Sequence, residues 1–316
     1  MAKVSEFSSS STASDVCERY GNRAKGKIVA ITGCTGGIGE NMAVALAVTG
    51  STVVMLRRDE AKMAAISQRV EAAKKGAVMM GIKCDTSSFT SVRNAAATVL
   101  SKFPGGIDCL VNNAGTCAPP PGVTADGLEI QFATNVAGHY LLTELLMPAL
   151  VLRGTSNEPS RVINVASDAY KMTKGVGMNP EAYEKPDVYS GIRQYAHTKL
   201  ANVLHARELN RRLKEAGKPV VAFSLHPGAI TSTDIARNYG LILGSLFRLF
   251  SAPFSKTIPQ GASTQTFLVL APIEMLEPGK IYQDCKVSPA VIPEAENDTM
   301  AKDFWEYLAK KSSMGS

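Results

Sequence analysis

Short apolar runs alternate with amphipathic helical stretches along most of the chain, and this alternation restricts the fold more than any other feature. The apolar runs predict seven strands, at residues 27–32, 52–56, 77–84, 108–112, 161–165, 220–225 and 280–283. The helical periodicity predicts six helices between them, at residues 39–48, 61–75, 91–103, 131–152, 194–216 and 261–270. Strands that are apolar on both faces and separated by helices favour a parallel sheet covered on both sides. We therefore expect an α/β fold: a single doubly wound, Rossmann-type domain with a mostly parallel sheet of roughly seven strands.

The domain boundaries follow from where this alternation begins and ends. Residues 1–24 are rich in Ser and lack the apolar core of a secretory signal, so we expect a disordered tail. A weak organelle-targeting segment is the alternative, but Glu6, Asp15 and Glu18 argue against it. Residues 25–290 show no repeat and no linker and are expected to form the one domain. Residues 291–316 are expected to form a C-terminal helical tail, with its helix at 301–310.

Composition excludes several classes of protein. The 34 Lys and Arg against 28 Asp and Glu give a net charge of +6 that is spread along the chain, which gives little support to nucleic-acid binding. Six Cys without a CxxC pair, and four His without zinc-ligand spacing, argue against a disulfide framework or a bound metal. A reducing, intracellular and cytoplasmic location fits this cysteine usage. The sequence contains no run of 18 apolar residues, so we expect no transmembrane helix.

A glycine-rich turn joins the first predicted strand to the first predicted helix. The turn runs from Thr32 to Gly39 and contains the candidate cofactor-binding residues Gly33, Thr35, Gly36, Gly37, Ile38 and Gly39. A dinucleotide pyrophosphate binds against backbone N–H groups at a helix start, and a Cβ there would block its approach. The alternative is a tight turn without a ligand, which the strand-to-helix context makes the weaker interpretation.

Two arginines stand at the end of the second predicted strand. Sites that prefer NAD have an acidic residue there for the ribose 2′-hydroxyl, whereas this chain has Arg57 and Arg58. Guanidinium groups suit a 2′-phosphate, so we expect NADP rather than NAD. The alternative is a solvated charge pair.

A Tyr followed by a Lys four residues later places both side chains on one helix face, where the ammonium can lower the pKa of the phenol for acid–base work. Tyr170 falls in a predicted loop, Tyr282 on a strand and Tyr307 in the tail. Tyr195 opens a long predicted helix between the fifth and sixth strands, so Tyr195 and Lys199 are the candidate catalytic pair. The pattern occurs four times, at Tyr170/Lys174, Tyr195/Lys199, Tyr282/Lys286 and Tyr307/Lys311.

Ser167 follows the fifth predicted strand, at the edge of the sheet where such folds bind ligands. Its hydroxyl can donate a hydrogen bond to a developing oxyanion. A turn or helix-capping serine is the alternative interpretation.

The chain resembles the short-chain dehydrogenase/reductase family from about residue 25 to residue 283. The resemblance rests on the turn Thr32 to Gly39, the NNAG tetrapeptide at 112–115, Ser167, the Tyr195 and Lys199 pair, and Pro227 with Gly228. Within the family, the chain most resembles the retinol dehydrogenase and WW-domain oxidoreductase branch. This resemblance rests on the segments YAHTKLAN at 195–202, LHPG at 225–228 and GKIYQDC at 279–285. Arg58 matches an arginine of that branch.

This resemblance implies further site residues. Asn135 becomes a fourth catalytic residue, expected to hold a water that links Lys199 to solvent. Other residues are implied as cofactor contacts: Asp85 and Thr86 at the adenine end, Asn113 in the cleft, and Pro227, Gly228 and Ile230 after the sixth strand. The contact to the nicotinamide carboxamide falls on Ser232 or Thr233. Homodimers or homotetramers built through the helices bearing Asn135 and Tyr195 are expected.

The implied reaction is reversible hydride transfer between NADP(H) and an alcohol/carbonyl pair, with Tyr195 as the proton donor to the carbonyl oxygen. A non-catalytic NADP-binding sensor or scaffold is the alternative from another class. The apolar segment 241–254 has three interpretations: a lid over a lipophilic retinoid, steroid or fatty aldehyde, a peripheral membrane contact, or ordinary core or dimer packing.

Overall fold

The computed structural model describes residues 6–178, 190–230, 255–288 and 291–313. The strands in these residues are β1 Ile28–Thr32, β2 Thr52–Arg57, β3 Val78–Lys83, β4 Cys109–Asn112, β5 Ser160–Val165, β6 Val220–Leu225, β7 Ile281–Gln283 and β8 Lys286–Val287. They form one sheet in the order β3-β2-β1-β4-β5-β6-β7-β8. The pairs are parallel from β3 to β7, and β8 turns back antiparallel on β7. The expected doubly wound parallel sheet is confirmed, and its eighth strand is a two-residue addition at the edge.

Helices cover both faces of this sheet, as strands apolar on both sides require. Their bounds are α1 Ala13–Tyr20, α2 Gly37–Thr49, α3 Glu60–Ala73, α4 Phe89–Lys102, α5 Ile130–Arg153, α6 Gly191–Glu215, α7 Ser263–Leu270 and α8 Asp298–Ser313. One apolar core lies between the sheet and α4, α5, α6 and α8. A second core lies on the other face, under α1, α2, α3 and α7. The order of β1 and β4 at the centre opens a crevice at the carboxyl ends of these strands.

Helix α5 contains a π-turn that the sequence pattern did not predict. The turn spans Ala133–Ala137, and the Gly138 N–H donates to the Ala133 carbonyl, five residues back. Such turns bulge the helix by one residue and often occur at functional sites. By length and composition α5 could cross a membrane, but two thirds of its most apolar window is buried in the fold, as in the core helix of a folded domain.

The expected disordered tail was wrong for residues 6–24. Thr12 caps α1 in a capping box with Asp15. The four-residue spacing of Val16 and Tyr20 puts both on the buried face of α1, and the rings of Phe7, Tyr20 and Phe267 contact one another. Sparse apolar residues at helical spacing were enough to dock a Ser-rich segment.

The C-terminal helix is present, but it is packed into the fold and does not project as a tail. Phe304, Trp305 and Leu308 of α8 are buried in the core shared with α6. Trp305 stacks on the His205 ring with 5.4 Å between ring centroids, and the Arg212 guanidinium lies 4.9 Å from the Trp305 ring centroid.

Candidate active site at the carboxyl edge of the sheet

The glycine-rich turn lies between β1 and the first turn of α2. Gly33 and Gly37 have φ angles of +65° and +56°, in the left-handed region that favours glycine. A Cβ on Gly39 would lie 2.6 Å from the Gly33 carbonyl oxygen and would overlap the Asn113 amide. A Cβ on Gly36, by contrast, would meet no heavy atom within 4 Å among the described residues. Three glycines therefore pack the turn itself, while Gly36 borders open space.

Two buried polar atoms at this turn have no hydrogen-bond partner among residues 6–178, 190–230, 255–288 and 291–313. They are the Thr35 Oγ1 and the Asn113 Oδ1. The Asn113 amide nitrogen is occupied, since it donates to the carbonyls of Thr32 and Gly33 at 2.9 and 3.0 Å. Open space beside Gly36, unpaired buried oxygens and a helix start without a side-chain cap fit a dinucleotide whose phosphates bind the turn.

The basic residues of β2 lie beside this turn. Arg57 ends the strand, and Arg58 follows it with its side chain 66% exposed. Arg58 reaches Asp85, with 3.6 Å between Nη1 and Oδ2. Thr86 is buried, and its carbonyl oxygen would overlap a Cβ built on Gly138. The expected adenine-end residues are thus adjacent to the arginines, and Arg58 is available to an anion in solvent.

Tyr195, Lys199 and Ser167 come together at the end of β5. A side-chain hydrogen bond joins Ser167 to Tyr195. The Lys199 Nζ lies 5.4 Å from the centroid of the Tyr195 ring and donates to the Val165 carbonyl at 2.9 Å. Lys199 is 2% exposed and Tyr195 is half-buried. The helix spacing of four residues brings the phenol and the ammonium to one face, as expected.

The protonation of this pair is set mainly by burial. Burial raises the pKa of Tyr195, the nearby Cys117 thiol raises it further, and the hydrogen bond from Ser167 lowers it. Burial lowers the pKa of Lys199 to about 8, against a smaller opposing effect of Cys117. Burial is thus the largest cause of the shift at Tyr195, and the lowering of the phenol pKa by the Lys199 ammonium stays a prediction. The neutral phenol is the dominant form near pH 7.

Asn135 lies in the π-turn of α5 and is fully buried. Its Oδ1 accepts from the Thr116 N–H at 2.8 Å, and its Nδ2 donates to the Thr116 carbonyl at 2.9 Å and to the Thr198 Oγ1 at 3.1 Å. A Cβ on Gly115 would lie 3.5 Å from the Asn135 Oδ1 and 3.7 Å from the Lys199 Nζ. Asn135 therefore fixes the loop after β4 beside the amine.

The residues after β6 lie close to the glycine turn. Pro227 and Gly228 follow the strand, and Gly228 has a φ of +95°. The Ile230 side chain reaches both Gly261 and the region of Ile38, since a Cβ on Gly261 would overlap Ile230 and lie 2.9 Å from the Ile38 Cγ2. Ser232, Thr233 and the segment 241–254 lie outside the described residues.

Sequence reasoning missed several residues that hold this site together. The Thr32 Oγ1 accepts the N–H groups of Asn113 and Ala114, each at 2.9 Å. Cys117 is buried beside Tyr195 and Lys199. The Glu129 carboxylate caps the start of α5 and accepts from the Gln194 amide at 3.1 Å, which ties α5 to the residue before Tyr195. The turn that begins at Thr32 and the NNAG segment at 112–115 gave a signal for the Thr32 contacts, whereas no sequence pattern marked Cys117 or Glu129.

The chain is similar in sequence and fold to known proteins. A model of the short chain dehydrogenase family matches residues 27–182. Retinol dehydrogenase 12 of Bos taurus is 38% identical over 282 residues, covering 89% of this chain and 84% of that protein. A chloroplastic short-chain dehydrogenase, TIC 32 A of Brassica napus, is 34% identical over 312 residues, covering 98% of this chain and 95% of that protein. The crystal structure of an uncharacterized protein from Mycobacterium Paratuberculosis is 28% identical, with a TM-score of 0.70, and covers 92% of this chain and 94% of that chain.

Proposed function

Since the chain belongs to the short-chain dehydrogenase family, in its retinol dehydrogenase-like branch, we propose that it interconverts an alcohol and a carbonyl compound with NADP(H). The observation that carries this proposal is the group formed by Tyr195, Ser167 and the buried Lys199 at the carboxyl edge of the sheet. The nicotinamide ring supplies or takes up the hydride when the dinucleotide is bound. The residues of this chain bind, orient and move the proton.

In the reductive direction, Tyr195 donates its phenolic proton to the carbonyl oxygen. Its raised pKa keeps the proton on the phenol at neutral pH, which is the form a proton donor needs. Ser167 orients the phenol and the substrate oxygen by hydrogen bonding. Lys199, held by the Val165 carbonyl, stabilises the negative charge left on the phenol, and Asn135 fixes the loop beside it.

The proposed cofactor-binding residues divide into three groups along the cleft. Gly33, Thr35, Gly36, Gly37, Ile38, Gly39 and Asn113 would hold the pyrophosphate side; Arg57, Arg58, Asp85 and Thr86 the adenine ribose side; and Tyr195, Lys199, Pro227, Gly228 and Ile230 the nicotinamide side. The unpaired oxygens of Thr35 and Asn113 support the first group. The exposed guanidinium of Arg58 supports the choice of NADP.

We propose a lipophilic retinoid, steroid or aliphatic carbonyl as the substrate class, in keeping with the relatives named retinol dehydrogenase and with the apolar composition of 241–254. Six buried cysteines without disulfides support a reducing intracellular compartment. The test is a screen of NADPH oxidation with retinaldehyde, steroid ketones, aliphatic aldehydes and quinones. Turnover with any of them supports the enzyme. NADPH binding without turnover across all four classes would favour the sensor or scaffold instead.

The choice of dinucleotide has its own test in Arg58→Ala. Loss of a charged hydrogen-bonding partner for the 2′-phosphate should weaken NADPH binding by about 10- to 100-fold. The affinity for NADH, which lacks that phosphate, should change by less than about twofold. Arg19→Ala is the matched control, because Arg19 is a similarly exposed arginine, also paired with a carboxylate, that of Glu6, on α1. Titration calorimetry measures both dinucleotides, and equal losses for both would remove the NADP assignment.

A further inference from the structure

Helix α5 presents three polar residues, four positions apart, to the centre of the sheet. Asn135, His139 and Thr143 are all buried on one face of a helix whose other buried residues are mostly apolar. Thr143 accepts from the Asn112 Nδ2 at 3.1 Å, and the His139 Nε2 lies 2.9 Å from the Thr32 Oγ1. Buried polar groups of this kind are satisfied by one another. The middle member, His139, belongs neither to the glycine turn nor to the catalytic group, but it contacts both.

The hydrogen bonds around Thr32 fix the direction of the one it shares with His139. A hydroxyl oxygen has two lone pairs and a single proton. Both lone pairs of the Thr32 Oγ1 are used by the N–H groups of Asn113 and Ala114 at 2.9 Å. The proton therefore goes to the His139 Nε2 at 2.9 Å, ahead of the Val111 carbonyl at 3.4 Å. The Nε2 atom must be the unprotonated nitrogen of that imidazole.

The other ring nitrogen of His139 then carries the proton. The Nδ1–H donates to the Asn135 carbonyl at 3.1 Å, inside the π-turn Ala133–Ala137. Burial lowers the pKa of His139 to about 4, with the Asn135 hydrogen bond raising it and the charge of Lys199 lowering it. The imidazole is neutral over the working pH range. Its two hydrogen bonds join the backbone of the π-turn to the Thr32 hydroxyl at the end of β1, which in turn accepts from the loop after β4.

We propose that His139 is a positioning residue that fixes two parts of the reaction centre through its two nitrogens. Through Nε2 and Thr32 it holds the loop of Asn113 and Ala114 against the cofactor turn. Through Nδ1 it holds the Asn135 carbonyl, and so the geometry of Asn135 beside Lys199. The proposal rests on the dehydrogenase function above and adds a residue to its machinery.

Two substitutions separate the two bonds. His139→Asn keeps a polar atom at the Nδ1 position and loses the one facing Thr32, so KM for NADPH should rise about five- to tenfold with kcat within about twofold. His139→Gln keeps an acceptor at the Nε2 position and loses the one facing Asn135, so kcat should fall about five- to tenfold with KM within about twofold. A purely structural role would change KM for NADPH and kcat together in both variants. That result overturns the proposal, and so does a change of kcat alone in His139→Asn with a change of KM alone in His139→Gln.

His205 offers a matched control within the same core. It is a buried imidazole on α6 whose Nδ1 pairs with the Asn164 amide at 2.9 Å. His205→Gln perturbs the core by a similar change but contacts neither the cofactor turn nor the π-turn. It should leave the ratio of kcat to KM for NADPH within about twofold of wild type in the folded fraction.

The imidazole tautomers give a readout that needs neither variants nor turnover. The Nδ1 atoms of His205 and His226 accept from the Asn164 amide and the Asp168 N–H, so both rings carry their proton on Nε2. His139 should therefore give the one Nδ1–H signal among these three buried rings in a long-range ¹H–¹⁵N correlation spectrum. Three Nε2–H rings would overturn the proposal. A chain that shows the expected tautomer but neither binds NADPH nor turns over loses the proposed function, and with it the role of His139.

Discussion

Tyr307 is a useful comparison for Tyr195, because the two tyrosines have the same spacing and distance to a lysine. In both pairs a lysine follows by four residues, and its Nζ lies 5.4 Å from the Tyr195 ring centroid and 5.5 Å from the Tyr307 ring centroid. Tyr195 adjoins Ser167 at the cleft, whereas Tyr307 packs on α8 beside Phe304. Spacing alone therefore does not single out the proposed catalytic pair; the position at the carboxyl edge of the sheet does.

Tyr195→Phe should lower kcat by at least about 10²-fold, because the proton donor is removed. The dissociation constant of NADPH should change by less than about threefold, since the ring remains. Tyr307→Phe, the control, should keep wild-type kcat and KM. Steady-state kinetics together with a dinucleotide titration check both, and a Tyr195→Phe enzyme with most of its turnover would assign the proton transfer to another group.

Gly36 and Gly39 separate binding of the dinucleotide from stability of the turn. Gly39→Ala places a methyl group 2.6 Å from the Gly33 carbonyl oxygen, so the free energy of unfolding should fall by about 1–3 kcal/mol. Gly36→Ala meets open space and has an extended φ of 172°, so the loss should stay below about 1 kcal/mol. NADPH affinity should nevertheless fall at least about tenfold, because the methyl group enters the phosphate position. Urea unfolding and calorimetry measure the two effects, and unchanged NADPH affinity in Gly36→Ala would place the phosphates elsewhere.

Sequence patterns predicted which side chains lie at the candidate site better than they predicted the hydrogen bonds that position those side chains. Tyr195, Lys199 and Ser167 lie together as expected, because helix spacing and strand ends translate directly into position. His139 was missed because one histidine on an apolar helix reads as an ordinary core residue until Thr32 is seen opposite it. Contacts between residues more than a hundred positions apart depend on the register of the helix against the sheet, which a single sequence does not encode locally.

At the scale of elements, the strands and most helices were predicted within a few residues, and the exceptions have physical causes. The π-turn in α5 inserts one residue through the Gly138 to Ala133 bond, and helical periodicity predicts a regular helix there. Helix α1 was missed because its apolar face is short and depends on docking against α7. Tertiary packing decided both cases.

Helix α8 should contribute strongly to stability through Trp305. The indole is buried against the rings of Tyr140 and His205. Trp305→Ala should lower the free energy of unfolding by about 3–5 kcal/mol, because a large cavity is left between α8 and α6. Glu306→Ala, on the exposed face one residue away, should stay within about 0.5 kcal/mol. Urea unfolding followed by circular dichroism compares them, and equal stability would mean that α8 is not docked in solution.

At the scale of the whole molecule, the neutral buried histidines should make the fold sensitive to acid. Burial lowers the pKa of His139 and His226 to about 4 and that of His205 to about 3. Asp168 and Asp284 raise the value for His226, and Lys171 and Lys256 lower it. Between the ordinary pKa of about 6.5 and these values, the unfolded chain binds protons that the folded chain does not. Stability therefore falls as the pH drops through this window.

Each imidazole should contribute a slope of up to about 1.4 kcal/mol per pH unit between about pH 6 and pH 4. Glu129 and Glu144, whose pKa values are raised by burial from the ordinary 4.5, act in the opposite direction at pH values just above 4.5. Urea unfolding at a series of pH values measures the net slope. His205→Gln should reduce the net slope by up to about 1.4 kcal/mol per pH unit, the contribution of one proton. A slope that the variant leaves unchanged would mean that His205 is not buried in its neutral form.

Helix α8 also bears on assembly. It covers part of α6 and the Phe132 and Tyr140 side chains of α5, the two helices through which the family resemblance predicts homo-oligomers. Any such assembly has to use the surface of α5 and α6 that α8 leaves exposed.

The chain's single tryptophan, Trp305, lies at the contact between α8 and α6. Its neighbour Arg212 lies 17 residues after Tyr195 on one continuous helix, about 25 Å along the axis. Emission from this indole therefore reports, without any label, whether the carboxyl-terminal segment is packed on the helix that carries Tyr195. Tryptophan fluorescence recorded during dinucleotide titration or acidification would show whether a structural change at the Tyr195 end of that helix alters the packing of α8 at its other end.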